Sequence, residues 1–211
     1  YYTLYKSLQT HKNKSSLKII VTGSARLDHF RKGGDSLMGR YHYYRLHPFS
    51  LIELNNSPKS SDLKQLLQFG GFPEPLFSGS ETDHRRWQRE RTQKIVYEDL
   101  RDLEAVKEIS LIELLIEALP VRVGSPLSLK NLAEDLQVSQ PTVSRWVQIL
   151  DRLYHTFRIS PYGAPKIRAV KKEQKLYFWD WTQVDDAGIR FENLVASHLL
   201  KYCHFIEDTE G

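Results

Sequence analysis

Cysteine is nearly absent: Cys203 is the only one in 211 residues. An internal disulfide is therefore excluded, and so is a zinc site built on several thiolates. A lone free thiol fits a reducing compartment, so a cytoplasmic location is expected. No apolar run approaches the roughly 20 residues of a membrane-crossing helix, and no membrane partner is expected. Nothing at the N-terminus reads as a secretory leader, and none is expected. Also missing is G-x-x-x-x-G-K-[ST], the loop whose amides and lysine cradle nucleotide phosphates. No apolar strand ending in Asp-Glu, which would hold magnesium, precedes Ile19. There is no Gly-x-Ser-x-Gly elbow and no Cys–His nucleophile pair. The eight histidines make no i, i+4 pair around an acid, so no metal site is expected.

What remains is ordinary globular material. Apolar residues make up 40% of the chain, enough for a sizeable core. The net charge of +4 is compatible with nucleic-acid binding, but the basic residues are spread along the chain. The chain opens Tyr1-Tyr2 without Met and is expected to be a piece of a longer protein.

Short β-branched and helical patterns alternate in the first half. Leu-Lys-Ile-Ile-Val at 17–21, stopped by Thr22-Gly23-Ser24, reads as a buried parallel strand. A second short strand is expected at 43–46. Helices are expected from about Leu51, over 62–69, over 84–101 and over 109–119. In the last of these, Leu111, Leu114, Leu115 and Ala118 share a face. Gly, Pro and Ser cluster between Pro73 and His84, which suggests a domain boundary. Arg85, Arg86, Arg89 and Arg91 read as a solvated helix face.

The segment 125–153 carries the clearest pattern. Ser128 is placed to cap a helix in which Leu129, Leu132, Ala133 and Leu136 recur at i, i+3, i+4 and i+7. Gln137-Val138-Ser139 makes a tight turn. Ser139 caps a second helix with Pro141 in its first turn, where a missing N–H costs nothing. That helix buries Val143, Val147, Leu150 and Leu153. It presents Gln140, Thr142, Ser144, Arg145 and Gln148 on its other side, residue types suited to phosphates and base edges in a major groove. Strands near 154–159 and 176–179 would form a wing, whose loop carries Lys166, Arg168, Lys171 and Lys172. The pattern is that of a winged helix. DNA is the candidate partner, through Thr142, Ser144, Arg145, Gln148, Lys166 and Arg168. Modules of this shape also serve purely for packing or protein contact.

Several segments together resemble a known family. Ile19 to Arg26, Leu37-Met38-Gly39-Arg40-Tyr41, Leu46 to Ser50 and Gly70-Gly71-Phe72-Pro73-Glu74 occur in order. They are followed by Lys175 to Asp180 and Phe191-Glu192-Asn193-Leu194-Val195. This series resembles bacterial and archaeal AAA+ ATPases in which an ATP-binding core precedes a C-terminal domain of unknown function. The resemblance implies that Ser24, with Thr22 behind it, senses the terminal phosphate. It implies that Arg40 acts as an arginine finger toward a nucleotide held by a neighbouring subunit. Read without it, Ser24 and Thr22 form a strand-end turn and Arg40 a surface ion pair. The resemblance also implies a restriction-endonuclease-like region, opened by a helix that buries Phe191, Leu194, Val195, Leu199 and Tyr202. Glu192 there is either a metal-site acid or a carboxylate favoured by the helix N-terminus.

The fold class expected is α/β plus α+β. A partial AAA+ core remnant at 1–75 leads through connecting helices at 76–124 to a winged helix at 125–180. The start of a truncated C-terminal domain follows at 181–211. ATP and magnesium belong to the intact parent protein, and no cofactor is expected in this chain. The reading is a fragment of an AAA+ ATP-binding protein whose winged helix contacts nucleic acid or protein. The alternative is a non-enzymatic DNA-binding regulator.

Overall fold

The computed structural model describes residue 20 and residues 44–99, 109–162 and 174–210. The chain divides into a unit at Tyr1–Tyr43 and a unit at Tyr44–Gly211, and the description below concerns the second. The expected strand at 17–21 lies outside the described residues apart from Ile20.

Small polar residues and glycines set the helix ends. The one-turn helix α1 (Leu51–Leu54) begins at Ser50, whose backbone N–H donates to the Glu53 carboxylate at 2.7 Å. Helix α2 (Ser60–Phe69) stops at Gly70, which has φ 77°, a backbone that glycine adopts without strain. Helix α3 (Pro73–Ser78) follows at once. It is joined through Gly71, where a Cβ would stand 2.7 Å from both the Phe49 carbonyl and the Trp181 ring. Helix α4 (Glu81–Lys94) is capped by Ser80 and widens into a π-turn at Ile95–Asp99. Residues 44–50 have no regular structure, so the strand expected at 43–46 is not found over 44–46. The Arg45 amide donates to Asp208 instead of to a sheet partner.

Helix α5 (Ile109–Ala118) buries Ile112, Leu115 and Ile116, with Leu119 just beyond it. This corrects the expected face, since Leu114 is half exposed. Apolar residues surround this helix, so periodicity alone left its inward face ambiguous. Helices α6 (Leu129–Asp135) and α7 (Gln140–Arg152) are joined by a short turn. Two antiparallel strands follow, β1 (Thr156–Ile159) and β2 (Lys175–Phe178), with Phe157 opposite Tyr177. The segment before α6 lies along the other side of β2, where the Gly124 amide donates to the Leu176 carbonyl at 3.1 Å. The architecture is mostly helical with a small two-stranded sheet, an α/β mixture.

Helix α8 (Ala187–Glu210) is the longest described element. Among the described residues, no helix is long and apolar enough to cross a membrane. The stripe expected to be buried on α8 faces outward: Phe191, Val195, Leu199 and Tyr202 are exposed, and of that set only Leu194 is buried. The inward face carries Asn193, Ala196 and Ser197. Asn193 ties the helix to the backbone of β2. The N–H of Phe178 donates to Asn193 Oδ1 at 2.8 Å, and Asn193 Nδ2 donates to the Phe178 carbonyl at 2.7 Å.

The packing crosses the boundary expected near Pro75. Leu66, Phe69, Leu76, Trp181 and Leu194 form one core cluster, with Phe49, Leu51 and Leu54 against it. The indole N–H of Trp181 donates to the Leu66 carbonyl at 2.7 Å. Residues on both sides of Pro75, and residues beyond 181, thus share one core. The Gly-Pro-Ser cluster marks helix ends inside it.

Candidate nucleic-acid interface

Helix α7 is positioned by its buried side. Val143, Trp146, Val147, Ile149 and Leu150 are all buried, as is Leu153 beyond its end. Trp146 and Ile149 widen the apolar stripe beyond the four residues read from the sequence. The turn before α7 is built locally. Gln137 takes φ 54°, and the Val138 amide donates to the Ala133 carbonyl at 3.0 Å. Ser139 caps α7: its hydroxyl accepts from the Thr142 amide at 3.3 Å and pairs with the Thr142 hydroxyl at 2.7 Å.

Gln140, Arg145 and Gln148 lie exposed on the outer side of α7. Thr142 and Ser144 are half-buried, and each is engaged within its own helix. Thr142 bonds the cap, and the Ser144 hydroxyl accepts from Gln148 at 3.4 Å. Of the candidate contact residues, Thr142, Ser144, Arg145 and Gln148 thus share one helix. Lys166 and Arg168 lie outside the described residues, as do Ser24 and Arg40. Asp151 ties α7 to β1 by accepting from the Thr156 hydroxyl and from Arg158 Nε, both at 2.7 Å.

Two polar arrangements had no signal in the sequence pattern. The first holds α4 against the turn after β2. His84 Nε2 meets the Thr182 hydroxyl at 2.9 Å, and Gln88 donates to Thr182 at 2.9 Å and to Asp180 at 3.3 Å. Burial pushes the His84 imidazole below its usual range, against the pull of Asp180. The second is Arg91, expected on a solvated face. Its guanidinium is buried, donates to the Tyr154 carbonyl at 2.8 Å and lies 4.1 Å over the Phe72 ring. Burial lowers its pKa to about 10. Arg85 and Arg86 do lie on the surface, each paired one turn away with Glu81 and Glu90.

Glu192 is not at a helix N-terminus, since it lies in the second turn of α8. Its carboxylate accepts from the Tyr177 hydroxyl at 2.8 Å and from Lys175 at 3.3 Å. Burial, followed by that bond, holds the Tyr177 phenol above its usual range. Among the described residues, no group of three or more His, Cys, Asp or Glu is placed to hold a metal ion.

Residues 3–55 match a family model described as an AAA domain, so the chain carries a fragment of an AAA-type domain. Over 162 residues it is 27% identical to Uncharacterized protein MJ1637 of Methanocaldococcus jannaschii, covering 67% of this chain and 33% of that protein. The chain thus spans about a third of the length of the curated relative it matches. No solved structure matches it. A second family model matches residues 60–182, more than half of the chain, from α2 to the turn after β2. The chain belongs to the family described as Domain of unknown function (DUF8612).

Proposed function

We propose that the chain is part of an AAA-type ATP-binding protein and that α6, α7 and the β1–β2 hairpin form a winged helix whose outer face binds duplex DNA. The observation that supports this reading is the two-sidedness of α7. One side is fully committed to the core, while Gln140, Arg145 and Gln148 face outward from a capped N-terminal half. Bidentate side chains of this kind read base edges in a major groove. Thr142 and Ser144 lie on the same helix and are proposed as phosphate contacts. Lys166 and Arg168, which fall between β1 and β2 in the sequence, are both proposed as backbone contacts. Nucleotide chemistry is assigned to the intact parent protein with magnesium. Ser24 as phosphate sensor and Arg40 as a finger toward a neighbouring subunit are proposals for that larger protein.

The test is a binding titration of fluorescein-labelled duplex DNA with the wild-type chain and with Arg145→Ala. Loss of a groove contact is expected to weaken binding about tenfold or more. Equal affinity for the two proteins would remove α7 as the reading helix. The alternative, a non-enzymatic DNA-binding regulator, shares this interface. The two readings separate on whether DNA binding by the intact protein responds to ATP.

A further inference from the structure

The segment 44–51 lies along α8 and is held there by side chains on successive turns of that helix. Arg45 donates to Asp208 through Nε at 3.2 Å and Nη2 at 2.5 Å, and its backbone amide adds a third bond at 3.3 Å. Nη2 also reaches Glu207 at 2.9 Å. Lys201 donates to the Pro48 carbonyl at 2.9 Å and pairs with Glu53. Tyr44 and Leu46 point outward and are exposed. The hold on 44–47 is therefore chiefly polar, with ring contacts from His47 to Trp179 at 4.9 Å and to His204 at 5.0 Å.

Three histidines complete the contact, and its hydrogen bonds need all three neutral. His198 Nδ1 donates to the Leu194 carbonyl at 2.9 Å, which leaves Nε2 to accept from the Leu51 amide at 3.1 Å. A proton on that nitrogen would face the Leu51 N–H. His47 Nε2 lies 3.0 Å from His204 Nδ1, so one must donate and the other accept. His47 Nδ1 is buried without a partner, so the tautomer that costs least carries its hydrogen on Nε2 and leaves Nδ1 bare. His204 Nδ1 is then the acceptor. A proton there, or on His47 Nδ1, either breaks the pair or buries an unmatched N–H.

We propose that residues 44–51 form an acid-releasable strap, closed over α8 while His47, His198 and His204 are neutral and opened by their protonation. The charges facing these rings favour this behaviour. Arg45 comes from the strap itself and Lys201 from α8. Both oppose a further positive charge. Asp208 pulls the other way on His47 and His204, and Glu53 on His198, but each carboxylate is shared with one of those cations. Burial, then the neighbouring cations, brings the His47 pKa down to about 4. Burial likewise holds His198 below its usual range. The bond from Arg45 keeps the Asp208 carboxyl below the usual carboxylate range, so it stays charged while the histidines titrate.

For a histidine kept neutral in the closed form, stability is complete above the free imidazole pKa of ~6.5 and is lost as pH falls toward the lowered value. A histidine held neutral throughout in the closed form weakens closure by up to about 15-fold between pH 6.5 and 5. The AAA-domain match ends at residue 55, just past α1, so the strap belongs to that matched stretch. Its release would free the end of the AAA-type segment from α8. This inference is independent of the nucleic-acid reading.

Hydrogen–deuterium exchange of the full chain tests it, with rates corrected for the intrinsic pH dependence. Between pH 7 and pH 5, amides of 45–51 are expected to lose protection at least tenfold while α7 keeps its own. In a His47→Phe, His198→Gln variant the ring contact and the acceptor for Leu51 are kept but neither side chain takes a proton. Most of the pH dependence is expected to vanish there. Three results would overturn the strap: unchanged protection in the wild type, loss in step with α7, or an unaltered pH dependence in the variant.

Discussion

Asn193 and Phe178 pair as two strands would: the side-chain amide of one takes both backbone groups of the other, at 2.8 and 2.7 Å. Asn193 is fully buried, so β2 has a side chain from α8 where water cannot reach. Asn193→Ala leaves a buried N–H and a buried C=O unmatched. Each such group costs roughly 1–3 kcal/mol. Denaturant unfolding is expected to show a loss of about 2–4 kcal/mol. A change below ~0.5 kcal/mol would mean the pairing is replaced without cost.

Gly71 stands where the chain passes between Phe49 and Trp181. A methyl group there meets a carbonyl oxygen and a ring carbon, each at 2.7 Å. Neither neighbour is the loose end of a flexible side chain. Gly71→Ala is expected to lower stability by about 1–3 kcal/mol, the range for overpacking a tight site. An unchanged midpoint would show that the loop relaxes freely.

His155 is fully buried, packs edge-on against Phe178 at 5.2 Å, and has no partner at either ring nitrogen. Burial, then Arg91, takes its pKa down to about 3. The neutral ring is favoured in the fold, so its contribution is complete above ~6.5 and falls as pH drops toward 3. His155→Phe removes the unmatched nitrogens and the titration together. The variant is expected to be at least as stable at pH 7 and to lose less stability between pH 6 and 4. A steeper acid loss than in the wild type would contradict this.

The two faces of α7 are expected to separate in mutation. Leu150→Ala removes a fully buried side chain and is expected to cost about 2–5 kcal/mol. Arg145→Ala, on the exposed side, is expected to cost less than about 1 kcal/mol. Comparing their unfolding midpoints checks this; equal losses would show that Arg145 serves the fold.

The sequence disclosed most where local rules act alone. Ser128 and Ser139 cap the helices they were expected to cap, and Val143, Val147 and Leu150 lie on the buried side of α7. The misread faces of α8 and α4 have one cause, a distant partner that chose the side to bury. Helix α8 has two apolar-compatible sides, and periodicity favoured the one with Phe191 and Leu199. Tertiary packing took the side on which Asn193 bonds β2 and Ala196 and Ser197 are buried with it. Arg91 looked solvated because its neighbours Arg85 and Arg86 are. Only the fold brings the Tyr154 carbonyl to it across 63 residues. The strap histidines carried no short-range motif, because each finds its partner 147 or more residues away or through the backbone of its own helix.

The most direct test of the central claim is the affinity of the wild-type chain for duplex DNA at several salt concentrations. Phosphate contacts by this face give binding that weakens linearly in log–log form, by about 0.9 per phosphate neutralised, and that competitor duplex reverses. No binding at low salt, or binding indifferent to salt, would contradict a nucleic-acid role for α7 and leave the module as a protein-contact surface.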